Sequence, residues 1–104
     1  MSKEFEIGIN LIRRVQKELE ELLEVEDRLS ARRIVNAIIN PITASAYQIR
    51  VGEGPNREEL LNTLIPLVKE MRELSDIDKL KEHVKNLISL LKEVEEAVSE
   101  KKEG

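Results

Sequence analysis

Leucine, isoleucine and valine recur along this chain in alternating steps of three and four residues, a spacing that keeps one line of side chains on a single helix face. The cleanest run is Ile77, Leu80, Val84, Leu87, Leu91, Val94 and Val98. A first segment reads Phe5, Gly8, Ile12, Val15, Leu19, Leu22, Glu26 and Leu29, and a second reads Ala31, Val35, Ile38, Ile42, Ser45 and Ile49. The remaining one, Leu60, Leu64, Leu67, Met71 and Leu74, is widened by Leu61, Ile65 and Val68 into a broader core-facing stripe. Four helices follow, over about residues 3–28, 31–51, 57–74 and 76–101, within a single domain spanning 1–104.

Capping chemistry sets the boundaries. Asn56 and Glu59 have capping-box spacing behind the loop "VGEGPN", and Ser75 with Asp78 offers a similar start for the last helix. No glycine or proline lies between Ile9 and Asn40, so one long helix is locally feasible there. Phase argues against it: at 100° per residue, the faces centred on Val15 and Leu22 and on Ile38 and Ile42 point in nearly opposite directions. A turn near Asp27 to Leu29, with Ser30 capping the second helix, resolves the conflict. Asn40-Pro41 also reads as a cap and first residue, but the apolar phase continues across it, which predicts one helix kinked at Pro41. Pro66 falls on the polar side of the third helix, where a freed carbonyl meets water. Short connections make this an all-α chain, a four-helix antiparallel up-down-up-down bundle with heptad-like seams, a helix-hairpin dimer being the rival architecture.

The second helix breaks the pattern of its neighbours. Charged residues make up 37% of the chain, yet none occurs from Ile34 to Ile49, and residues 28–52 hold Arg28, Arg32, Arg33 and Arg50 but no acid. Opposite its apolar seam stand Arg32, Arg33, Asn36, Ala37, Asn40, Thr43, Ala44, Tyr47, Gln48 and Arg50, where the first and last helices carry mostly Glu and Lys. Solvated helix faces favour long charged side chains, which combine helix propensity with solubility; Asn and Thr form helix less well. The reading is that this helix is shielded from bulk water around its whole girth. The cover is the C-terminal segment of the same chain, another subunit or protein, or a ligand. The arginines pair with Glu18, Glu24 or the acidic last helix as ordinary surface ion pairs, or, in a sharper reading, Arg32, Arg33, Asn36, Asn40, Tyr47 and Arg50 form a groove for an anion.

Other chemistry is sparse. The chain has no cysteine, which removes disulfides, thiolate metal sites and cysteine nucleophiles. His83 is the only histidine, and Val84, Lys85 and Asn86 do not match the pattern of a downstream lysine and small residues beside the phosphoacceptor of bundle phosphotransfer domains, so it reads as a surface or half-buried side chain. Acidic pairs such as Glu18 with Glu21 and Glu93 with Glu96 face outward, and no Glu-x-x-His pair provides a di-metal core. Glu26 falls on the first seam, where it needs a cationic partner or an exposed, fraying helix end. Gly8, on the same seam, marks close helix packing. No glycine-rich phosphate loop or activated serine is present, and no cofactor is implied.

The N-terminal "MSKEFEIGINLIRR" is interrupted by charges as no signal peptide would be, and no uncharged run is long enough to span a bilayer, so a cytoplasmic protein is expected. A net charge of −4 and the absence of aromatic platforms argue against nucleic acid. The expected function is a non-enzymatic protein-protein interaction, with the second helix's outer face joining the chain to itself as a homodimer or to another protein. Binding of an anionic small ligand or nucleic acid through the Arg, Asn and Tyr side chains comes second, and a small mutase-like enzyme holding a polyanion among arginines and amides third. The regular heptads without Cys or Trp suit a thermophilic or engineered chain, whereas Gly8, Pro41, Pro66 and the asparagines look natural.

Overall fold

Val15 interrupts the first seam without disturbing its phase, and it turns the expected four helices into five. A computed structural model of the chain describes residues 1–103, with side chains through residue 99, as α1 (Lys3–Arg14), α2 (Gln16–Leu22), α3 (Arg28–Val51), α4 (Arg57–Glu73) and α5 (Ile77–Glu103); no strand occurs among the described residues. Val15 leaves the helical region, with φ −111° and ψ 14°, and its N–H reaches back only three residues, to the Ile12 carbonyl at 3.1 Å. Leu19 then donates to the Val15 carbonyl at 2.9 Å and the α-helical pattern resumes. The break re-aims the chain: α1 packs mainly on α3, whereas α2 touches both α3 and α5. Arg13 at the end of α1 also reaches Glu95 of α5, at 3.2 Å.

The turn after the first rod comes earlier than the spacing predicts. Helix ends at Leu22 rather than near residue 28, with Leu23 and Glu24 donating to the Glu20 and Glu21 carbonyls in a tightened last turn. The next cap is Asp27, not Ser30. Its Oδ1 accepts the Ser30 N–H at 2.8 Å and its Oδ2 accepts the Ser30 hydroxyl at 3.0 Å. A carboxylate is favoured over a hydroxyl at this end because it also faces the positive pole of the helix. Glu26 stands exposed beside this turn, outside any seam.

Two other caps also differ from expectation. Asn56 adopts a left-handed backbone, φ 60°, and its side-chain amide donates to Glu59 Oε1 at 3.3 Å instead of the carbonyl oxygen accepting a helix N–H. Ahead of α5 the cap is Asp76, whose carboxylate accepts the Lys79 N–H at 3.1 Å. Ser75 instead donates to Glu70 Oε1, at 3.2 Å, and the Asp76 N–H donates to the same oxygen at 2.7 Å. Glu70 is thereby buried but satisfied, closing the α4–α5 turn.

Both prolines sit inside continuous helices: α3 runs through Pro41 as one helix, and α4 through Pro66. Each ring removes the donor that would meet the carbonyl four residues back. Those carbonyls belong to Ala37 and Asn62, both exposed residues, so water can satisfy them. Just beyond Pro41, the Thr43 and Ser45 hydroxyls donate to the Ile39 and Ile42 carbonyls at 2.7 and 2.6 Å.

The core follows the seams closely. Phe5, Ile12, Leu19, Leu22, Ile38, Ile42, Ile49, Leu60, Leu64, Leu67 and Met71 are all fully buried, joined by Leu80, Val84 and Leu87 of α5. Ser45 fills the one polar position of the α3 seam, where its hydroxyl is spent on the backbone. Gly8 lets α1 approach α3: a Cβ there would lie 2.7 Å from Ile49 Cγ1 and 3.1 Å from the Ser45 carbonyl. No described helix is long and apolar enough to cross a membrane.

Candidate functional site

α3 is the middle of the molecule in contact terms, packed against α1 on one flank and α4 on the other. Its seam, from Ala31 to Ile49, faces the core. The face opposite the seam has no cover from the described residues of the chain. Arg33, Asn36, Ala37, Asn40, Ala44 and Tyr47 are exposed, and Tyr47 and Val51 are 63% and 52% accessible. Among the described residues the expectation that α3 is shielded around its girth by its own chain is therefore overturned: α5 packs mainly on α4 and α2.

The residues grouped by sequence divide into three sets in space. Arg33, Asn36, Asn40, Ala44 and Tyr47 line the outward face. Thr43 and Arg50 turn toward α4, where with Ala46 they form one wall of a surface groove of about 540 Å³. Gln48 leans to the other side, its Cβ beside Gly8 of α1. Arg32 is half-buried on the α4 side of the helix wheel. Of Arg32, Arg33, Asn36, Asn40, Tyr47 and Arg50, the set expected to form one anion groove, only Arg50 lines this one; the six share one side of the helix but are strung over roughly 27 Å of its length.

The groove brings in residues that sequence reasoning missed. Its α4 wall carries Ile65, Val68, Lys69, Arg72 and Glu73. Ile65 is 59% exposed, although the heptad pattern placed it on the core stripe. The missed signal was present in the stripe's width. Leu61, Ile65 and Val68 spread the apolar arc of α4 so far that its edge leaves the core, and that edge is the one turned to α3.

Among the described residues, the arginines of α3 make no surface ion pair. Among the described residues the ion pairs are Arg13 with Glu95 and Arg57 with Glu58; Arg32, Arg33 and Arg50 take part in none. Arg57 also closes the C-terminus of α3, its guanidinium donating to the carbonyls of Gly52 and Arg50. This satisfies acceptors that lack intrahelical donors and sets a positive charge at the negative helix end. His83 is half-buried on α5, and no group of three or more potential metal ligands occurs among the described residues.

The Ser30 backbone N–H and hydroxyl, with lesser help from the Leu29 N–H and the Arg33 charge, hold the Asp27 carboxyl below the ordinary 3.8 against an opposing desolvation. It anchors the N-terminal end of the exposed face.

No protein-family model, curated protein or solved structure matches the chain.

Proposed function

We propose that this chain is a non-enzymatic interaction protein that associates through the outer face of α3. One observation carries the reading: a helix face with no charged side chain from Ile34 to Ile49 stands in solvent, with Tyr47 and Val51 largely exposed on it. A face selected for water would carry flexible charged residues, as the outer sides of α1 and α5 do. Alanines allow close approach, and amides and a tyrosine hydroxyl bond across a contact without the desolvation cost of ions. The frame behind it reads as an antiparallel bundle of four rods, the first made of α1 and α2, because only short connections join successive helices. Self-association is the first test. Sedimentation mass should rise with protein concentration, and Asn40→Glu or Ala44→Glu should return it to the monomer value. A strict monomer that neither change affects would refute the proposal.

The groove between α3 and α4 favours a second reading, binding of a small anionic ligand with an apolar part. Arg50, Lys69 and Arg72 line it against a single acid, Glu73, with Ile65 and Val68 between them. Retention on an anionic resin should be salt-dependent and lost in Arg50→Ala with Arg72→Ala, while Arg33→Ala on the outer face leaves it unchanged.

A further inference from the structure

The outer face of α3 carries a second heptad seam. Arg33, Ala37, Asn40, Ala44, Tyr47 and Val51 follow one another in alternating steps of four and three, and all are exposed. The chain's other seams are filled by the core; this one lies on the opposite side of the same helix and has no partner among the described residues. We infer that its partner is the same seam of a second copy, paired antiparallel about a two-fold axis at Ile42. This rests on the reading of the outer face as a docking surface and adds its occupant's orientation and register.

Side-chain size selects that orientation. In an antiparallel helix pair, the two alternating seam positions of one helix face each other's opposite kind on the partner. With the axis at Ile42, Ala37 faces Tyr47 of the second copy, Asn40 faces Ala44, and Arg33 faces Val51. Each layer then sets a small or apolar residue against a larger one, and the tyrosine ring has an alanine gap to fill. The flanking Arg50 comes opposite the Asn36 amide of the second copy, whose oxygen can accept from a guanidinium. Like charges approach only at the two ends of the contact, where Arg33 comes beside Arg50 of the second copy. The parallel alternative stacks each residue on itself. It leaves two alanine layers beside a tyrosine layer and sets Arg33 directly against Arg33 in the seam, where like charges repel. The isologous contact also closes on itself, yielding a dimer and not a filament.

The absence of cysteine makes the register directly testable. Ala37→Cys and Tyr47→Cys place thiols on exposed positions that leave the core intact. In the antiparallel pair these two sites meet, whereas two copies of Cys at position 37 lie about 15 Å apart along the helix, beyond the roughly 7 Å disulfide limit. Under mild oxidation at about 0.1–1 mM protein, a concentration suited to an interface no larger than one helix pair, the two variants should crosslink readily when mixed and poorly alone. Mass spectrometry should identify the mixed dimer, and adding Ala44→Glu to both should abolish it. Efficient crosslinking of each variant alone, in a dimer still dissociated by Ala44→Glu, would overturn the antiparallel register while leaving the docking face standing. A monomeric mass at every concentration, or a dimer indifferent to Ala44→Glu, would remove the docking face as well.

Discussion

A methyl group at position 52 would sit 2.6 Å from the Phe5 backbone nitrogen and 2.8 Å from Ser2 Oγ. Neither can retreat cheaply, because both belong to the joint that fastens the start of α1 to the α3–α4 loop: Ser2 Oγ accepts the N–H groups of Phe5, at 3.2 Å, and Glu53, at 2.8 Å. Gly52→Ala should therefore cost about 1–3 kcal/mol or more and lower Tm by on the order of 10 °C, read by thermal melting. Asp27 gives a prediction of a different kind. Its folded pKa lies below the unfolded 3.8, so its contribution is complete above 3.8 and is lost as pH falls through the lower folded value. Asp27→Asn keeps an acceptor for the Ser30 N–H but has no charge to lose. The difference in Tm between the parent chain and this variant should be full near neutral pH and shrink below pH 3.8. A difference independent of pH would show that the carboxylate charge contributes nothing.

Helices, as elements, were largely readable from spacing, because burial on one side of a 3.6-residue turn leaves a periodic trace that local detail does not erase. The α3 seam from Ala31 to Ile49 is buried at every position, including the polar Ser45. What spacing could not reveal were events that keep the phase. Val15 breaks the first rod with one residue of altered backbone while Ile12, Leu19 and Leu22 stay in line. Asp27 displaced Ser30 because two residues with similar capping chemistry lie three apart, and only the geometry of the turn chooses between them. Buried Glu70 was hidden because its justification is a pair of donors in the next turn. The outward face of α3 was legible as a composition anomaly, but its division between an outer seam and an α4-facing groove needed the packing directions of α1 and α4. Pro41 tests an element-scale cost. Its ring leaves the Ala37 carbonyl without a helical donor, so Pro41→Ala should stabilise the isolated chain by on the order of 1–3 kcal/mol, part of the proline penalty being offset by its stiffening of the unfolded chain. A denaturant midpoint unchanged or lowered by this substitution would mean the helix has fully adapted around the ring.

At the scale of the whole molecule, the described residues pack to a radius of gyration of 13.5 Å, near the ~13 Å expected for a compact chain of about 100 residues. Its folding does not require the α3 face to be covered: the core made by the inner seams is already filled. Association through that face should therefore add to a stability that the single chain already has, and thermodynamic linkage makes the addition depend on concentration. A partner that binds only the folded state contributes about 1.4 kcal/mol when its free concentration exceeds Kd tenfold, which for a chain of this size moves Tm by several degrees. Tm should thus climb as protein concentration is raised through the dissociation range. Asn40→Glu should flatten that climb without lowering Tm in dilute solution, since Asn40 is exposed and Glu is the better helix former. If the variant instead melted lower at every concentration, Asn40 would be supporting the fold of the single chain, and the outer face would owe its composition to folding and not to docking.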